Sequence, residues 1–312
     1  MEWVKCNLCG NEDFSLLFEG HDYQYFSPLT FKVMKCNNCG LVCLNPRPKE
    51  IIQYYPERGK GIIKDLFLFL KPNRVKIIKN LKKEGKILDI GCGEGGFLFD
   101  MHKEGWKVYG NDISKTGCDF ARRELGLENI YDKDLLSLDF PEDFFDIVTM
   151  WHTLEHMKKP REILRRINRL LKDDGILIIE CPDFSNLQSR FFREKSFALD
   201  LPRHFYQFTP KTLEKLLKLT GFKIRKRDYI VNSRISFISL KMSILRWLGI
   251  QRVPKRRGEK EPPAIVNFRK TGILWGLARF VVNITCLLLS LFLILINSDT
   301  SFRVYCKKIN EK

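Results

Sequence analysis

Acidic residues are the scarce charged class in this 312-residue chain: 37 Asp and Glu stand against 54 Lys and Arg, a formal net charge of +17. Such a deficit favours an anionic partner, whether nucleic acid, an acidic membrane surface or a phosphorylated substrate, and charge alone does not choose among them. The sequence also lacks an internal repeat and a low-complexity tract, so repeat architectures are set aside. Histidine is rare, with five in the chain. The opening residues, Met1 to Cys6, contain no apolar h-region, so no export signal is expected there. Reduced thiols are then the default, and closely spaced pairs among the ten cysteines read as metal ligands. What is present is ordinary for a folded protein: 44% hydrophobic and 29% charged residues exclude global disorder.

Five zones follow from the pattern. Residues 1–48 hold two Cys-x-x-Cys pairs and end in the breaker-rich Asn45-Pro46-Arg47-Pro48, as a zinc-ribbon-like domain would. Residues 49–84 read as a helical linker or lid, with Tyr54, Tyr55, Phe67 and Phe69 as covering aromatics or plain core. In residues 85–232 short apolar runs alternate with amphipathic stretches, which predicts βαβ units around a parallel sheet. Strands are expected at 86–90, 107–111, 129–131, 146–150, 176–181 and 222–229. Most are continuous Val/Ile/Leu/Phe runs, as when helices cover both faces. Helices are expected at 161–171, entered by Pro160 and closed by Asp173-Asp174-Gly175, and at 210–220, with Thr209 as N-cap. Residues 233–297 form a basic and apolar insertion, and 298–312 a final strand and tail.

The strand Ile87-Leu88-Asp89-Ile90 runs into Gly91-Cys92-Gly93-Glu94-Gly95-Gly96 and then a helix. Such glycines permit a tight turn and let a ligand lie against bare backbone at a helix N-terminus. Three acids sit at strand ends: Asp89 before the glycines, Asp112 about 20 residues on, suited to ribose hydroxyls, and Asp134, suited to an adenine amino group. Any one alone would pass as a turn residue. Together with Phe145-Asp146-Ile147-Val148-Thr149-Met150-Trp151-His152-Thr153-Leu154-Glu155-His156-Met157 and Leu170-Leu171-Lys172-Asp173-Asp174-Gly175-Ile176-Leu177-Ile178-Ile179-Glu180, they resemble class I S-adenosylmethionine-dependent methyltransferases, near the ubiquinone-biosynthesis and sugar methyltransferase group. The resemblance spans roughly residues 84 to 230. It implies an α/β fold with a doubly wound, seven-stranded Rossmann-like sheet. It also implies S-adenosylmethionine as cofactor, with Asp89, Gly91, Cys92, Gly93 and Gly95 at the methionine part, Asp112 and Ile113 at the ribose, and Asp134 and Leu135 at the adenine. Trp151 and His152 would face the sulfonium.

Methyl transfer from a sulfonium is an in-line displacement, so alignment of the acceptor is the main task, and an oxygen or carbon acceptor also needs a base. His156, after the fourth strand, and His204, after the fifth, are the catalytic candidates. Structural histidine is the competing account of each. A metal held by His152 and His156 lacks an evident further ligand.

Cys6-Asn7-Leu8-Cys9-Gly10 and Cys36-Asn37-Asn38-Cys39-Gly40 are two knuckles able to complete a tetrahedral structural zinc site. A redox pair would sit at a helix start in a thioredoxin-like unit, which nothing here matches. Cys43 is a spare ligand. Some sugar methyltransferases similarly begin with a zinc-binding domain.

Residues 273–296 are nearly all apolar, interrupted by Arg279, Asn283, Thr285 and Ser290, and are long enough to span a bilayer. Lys255, Arg256, Arg257, Lys260, Arg269 and Lys270 flank them. A closing strand at 302–306 would bring the chain back to the same side, which makes an interfacial helix or shallow hairpin with 234–250 the consistent geometry. A true span and burial against protein stay open. The expectation is a cytoplasmic enzyme, peripheral or monotopic on the inner face of an anionic membrane. It would methylate a small or lipid-linked acceptor such as a sugar of a surface glycan or a prenylated ring. An RNA methyltransferase is the alternative, since a zinc ribbon and basic surface suit RNA. It is weakened because Met150-Trp151-His152-Thr153 replaces the Asn/Asp-Pro-Pro-aromatic run usual for base amino groups, so nucleic acid is not the expected partner. A non-catalytic nucleoside-binding protein is the third reading.

Overall fold

The computed structural model describes residues 1–23, 27, 29–55, 74–230, 233–248, 284–286, 288–289, 292 and 301–309. In chain order the strands are β1 (Phe14–His21), β2 (Thr30–Cys36), β3 (Val42–Leu44), β4 (Lys86–Ile90), β5 (Lys107–Asn111), β6 (Ile130–Tyr131), β7 (Phe145–Trp151), β8 (Leu171–Pro182), β9 (Tyr206–Gln207), β10 (Phe222–Tyr229) and β11 (Ser301–Lys308). The helices are α1 (Arg74–Leu81), α2 (Gly96–Lys103), α3 (Lys115–Arg123), α4 (Pro160–Leu170), α5 (Leu187–Phe192), α6 (Pro210–Leu219) and α7 (Ser233–Trp247).

Seven strands form one sheet in the order β10-β11-β8-β7-β4-β5-β6. Neighbours from β8 to β6 run parallel, while β11 runs antiparallel to both β8 and β10. This is the doubly wound α/β sheet expected from the sequence, with the closing strand inserted between the fifth and sixth. Side-chain alternation splits the core into two layers. Leu88, Ile90, Val148, Met150, Leu177 and Ile179 pack with α4 and α6 on one face. Ile87, Ile147, Ile178 and Tyr305 pack with α1, α2 and α3 on the other. Each such buried aliphatic contributes roughly 1.5–3 kcal/mol.

The helix expected at 161–171 begins with Pro160 at its first turn and ends at Leu170, ahead of the predicted Asp-Asp-Gly stop. Leu171 is already extended and pairs with Phe145. Amides of Asp143 and Phe144 donate to the Arg169 and Leu170 carbonyls, so the end of the helix is satisfied by the neighbouring chain. The Thr209 cap is present as a reciprocal box with Thr212.

The N-terminal segment builds a four-stranded sheet, β1-β2-β3-β9. Its fourth strand comes from Tyr206–Gln207, far downstream of β3 in the chain, and Cys43 pairs with Tyr206 across it. Of the aromatics expected in a lid, Tyr54 packs edge-on against Phe31 at 5.8 Å, and Phe67 and Phe69 lie outside the described residues. So does most of the apolar stretch at 273–296. Of it, Cys286 is buried against Leu240 of α7 and Phe192 of α5. Among the described residues no helix is long and apolar enough to cross a membrane.

Candidate active site

The turn after β4 is set by backbone that only glycine adopts cheaply. Gly91, Gly93 and Gly95 have φ of +76°, +58° and +76°. A side chain on Gly91 would meet Thr153 at 2.5 Å, so this glycine lets the turn lie directly on the segment after β7. Above Gly93 no described residue comes within 4 Å of where a Cβ would sit. The loop is tied to β5: Gly91 and Cys92 amides donate to the Asn111 carbonyl at 2.8 and 3.1 Å. Asp112 accepts from the Gly93 amide at 2.8 Å and from the Ser114 amide at 2.7 Å. A carboxylate has about four acceptor positions, so two remain for ligand hydroxyls. Asp89 is buried beneath the loop and accepts from the Thr149 hydroxyl at 2.7 Å. Burial pushes its carboxyl up to about 7, against the pull of the Thr149 hydroxyl and Arg74.

The 3-10 turn Leu154–His156 follows β7 and carries Glu155 and His156 side by side. The His156 and His204 rings meet edge-on with centroids 4.6 Å apart. His156 Nδ1 lies 3.0 Å from the Arg203 carbonyl oxygen and 3.1 Å from the Tyr55 hydroxyl. Burial, with His156 alongside, pushes His204 down to about 4, so its imidazole is neutral. Arg203 fixes this wall: its guanidinium binds Asp200 at 2.7 Å and Asp22 at 3.0 Å. The glycine turn, one carboxylate for hydroxyls and two imidazoles thus converge at the C-terminal end of β4 and β7, where open α/β sheets bind ligands.

The profile of the methyltransferase domain family matches residues 62–227, more than half of the chain. The chain belongs to the methyltransferase domain family. The class I S-adenosylmethionine-dependent methyltransferase expected from the sequence is therefore borne out. A ubiquinone biosynthesis O-methyltransferase of Actinobacillus pleuropneumoniae serotype 7 (strain AP76) is 34% identical over 131 residues, covering 38% of this chain and 55% of that protein. The mitochondrial ubiquinone biosynthesis O-methyltransferase of Schizosaccharomyces pombe is 26% identical over 159 residues, covering 47% and 56%. The chain spans about half the length of the curated relatives it matches. A solved S-adenosylmethionine-dependent methyltransferase from Archaeoglobus fulgidus aligns over 83% of this chain and 100% of its own at 21% identity, with a TM-score of 0.49.

The remaining candidates fall in different places. Ile113 is exposed beside Asp112, while Leu135 is buried in the core. Asp134 caps the short turn Leu135–Ser137, accepting from the Leu136 amide at 2.8 Å. Trp151 is buried, edge-on to Phe97 at 5.5 Å, with the Arg74 guanidinium 4.7 Å and that of Arg303 5.3 Å from its ring. His152 adopts a φ of +53° and turns to Glu180, 3.1 Å from Nε2. Glu155 went unassigned in the sequence although it stands beside His156. Tyr55, expected only as a covering aromatic or core residue, reaches His156 through the tertiary fold, and Asp200, four residues before His204, was not singled out in the sequence.

The two cysteine knuckles close on each other. Cys6 and Cys39 sulfurs are 3.4 Å apart, Cys9 and Cys36 3.5 Å, and all four lie within 4.8 Å. Zinc–sulfur bonds of about 2.3 Å at a tetrahedral centre put sulfurs about 3.8 Å apart, so the set is compatible with zinc. Gly10 and Gly40, at φ +80° and +79°, return their amides to the Cys6 and Cys36 carbonyls. Cys43 is not in the cluster; it is buried in the core on β3.

Proposed function

We propose that this methyltransferase moves a methyl group from S-adenosylmethionine to a hydroxyl of a small or lipid-linked acceptor, such as a hydroxylated ring or a glycan sugar, at an anionic membrane surface. The carrying observation is the contact of Gly91 with Thr153, which sets the cofactor turn against the segment bearing His156. The bound nucleoside supplies the methyl group on its sulfonium. Asp112 would hold the ribose, Gly93 would leave room for the methionine part, and the turn would fix both relative to the histidines. A displacement there would break the methyl carbon–sulfur bond, with its electron pair left on sulfur, as the carbon–oxygen bond formed. The hydroxyl proton has the His156–His204 pair as its receiver. The names of the two relatives favour oxygen as the accepting atom.

The membrane part rests on charge and exposed apolar surface. Leu187, Phe191, Trp247, Leu248, Leu288 and Phe292 are exposed on α5, around α7 and on the segment that packs at Cys286. Exposed apolar groups beside a net +17 chain suit anionic headgroups. The test is a labelled-methyl transfer assay over separated membrane and soluble extracts. Label in a membrane-extracted small molecule supports the reading. Label only in RNA overturns it.

A further inference from the structure

Beside the cofactor turn, three side chains are arranged as ligands rather than as ordinary packing. We propose that Glu155, His156 and His204 bind a divalent transition-metal ion at the acceptor end of the site. One donor atom from each lies within 4.8 Å of the others. Around an ion with bonds of about 2.0–2.2 Å, donors stand roughly 3–4 Å apart, so small side-chain rotations close the site.

The proton positions favour coordination. A carbonyl oxygen only accepts, so the contact of His156 Nδ1 with the Arg203 carbonyl at 3.0 Å places the proton on Nδ1 and leaves Nε2 as a lone pair. For His204, Nε2 faces the Asp200 carboxylate at 3.9 Å, while Nδ1 is buried with no hydrogen-bond partner among the described residues. Glu155 is 1% exposed, and neither of its oxygens accepts a hydrogen bond among the described residues. His152 is an ion-pair neighbour of one of them, with Nδ1 at 3.5 Å from Oε1, while its Nε2 meets Glu180; Oε2 has no such neighbour among the described residues. A carboxylate this buried, with one oxygen turned to the two imidazoles and bonded to no described side chain, has room for a cation. Two imidazoles and one carboxylate suit zinc, iron, cobalt or manganese better than magnesium or calcium, and three protein ligands leave positions open.

The inference refines the proposed function and rests on it for the role of the ion. An acceptor oxygen coordinated there is acidified and loses its proton to solvent, so the ion does what an imidazole base would otherwise do. Binding itself is tested without either substrate. The full chain is saturated with zinc at its thiolates, freed of loosely held metal, and titrated with cobalt(II) alone, followed by calorimetry and visible absorption. The expected result is one further equivalent with the bands of nitrogen and oxygen ligation and no thiolate charge transfer. Glu155→Gln and His204→Gln should each weaken that equivalent at least 100-fold. No second equivalent in the wild-type chain overturns the inference, whatever the variants' folding, and so does uptake that both variants leave unchanged. S-adenosylmethionine binding is measured separately. Nucleoside binding without cobalt uptake sinks only the metal site, and cobalt uptake without nucleoside binding sinks the proposed methyl transfer.

Discussion

At the residue scale, Asp112 and Gly91 carry separable consequences. Asp112 organises the turn through Gly93 and is the proposed ribose acceptor. Each hydrogen bond to a charged group is worth about 1.5–3 kcal/mol, so Asp112→Ala should weaken S-adenosylmethionine about 10- to 150-fold by calorimetry. Gly91→Ala adds a Cβ 2.5 Å from Thr153 at a φ of +76° and should cost about 1–3 kcal/mol in a denaturant melt. Asp89 gives a pH signature. Its carboxyl keeps a proton up to about 7 in the folded chain but releases it near 3.8 when unfolded. Between those values the folded state binds more protons, so the nucleoside-free protein should lose stability as pH rises through the window. Asp89→Asn should flatten that part of the curve; a variant curve parallel to wild type would refute the assignment. Asp89, Asp112 and the glycines were readable from sequence because strand-end position and spacing mark them. Glu155 was not, because its role depends on His204, 49 positions away.

At the element scale, the pairing of β11 with β8 decides how the sheet closes. Arg303 and Glu180 are cross-strand partners, joined at 2.6 Å and almost fully buried. Despite the upward push of burial, His152 and Arg303 hold Glu180 down to about 2. Its contribution is therefore present above about 4.5 and lost as pH falls towards 2. Arg303→Met leaves a buried carboxylate with less compensation and should cost about 3–5 kcal/mol, while the double change Glu180→Gln with Arg303→Met should recover much of it. Thermal melts of the three variants check the pattern. Strands β4, β5 and β10 were legible to the residue: Gly85 and Gly91 bound β4, Asp112 closes β5, and Gly221 opens β10 after the helix that Thr209 caps. The first five residues of β8 were not: Leu171-Lys172-Asp173-Asp174-Gly175 reads as a helix stop, and only pairing with Phe145 makes it strand.

For the whole molecule, the thiolate cluster and the histidine wall are mechanically linked. The knuckles fold against β3, β3 pairs with β9, and β9 begins two residues after His204. A zinc ion held by the four thiolates would supply folding energy directly, so its removal should loosen both. Cys39→Ser is expected to lower the melting temperature and the methyl-transfer rate together, and zinc at high concentration should restore both partly. Vesicle binding tests the membrane reading at the same scale. Retention on vesicles with anionic lipid, falling as salt rises, is expected; equal retention on neutral vesicles would remove the electrostatic part.

The sequence by itself determined the alternation of strand and helix, the glycine turn with its flanking acids, and the two cysteine knuckles. These depend on local backbone freedom and on spacing within one or two elements. Only the tertiary structure decided that β9 completes the N-terminal sheet, that Arg303 meets Glu180, and that Glu155, His156 and His204 share one point in space. Those outcomes depend on which distant strands find each other, and pairing between strands far apart in the chain is set by the burial of whole faces rather than by any local pattern.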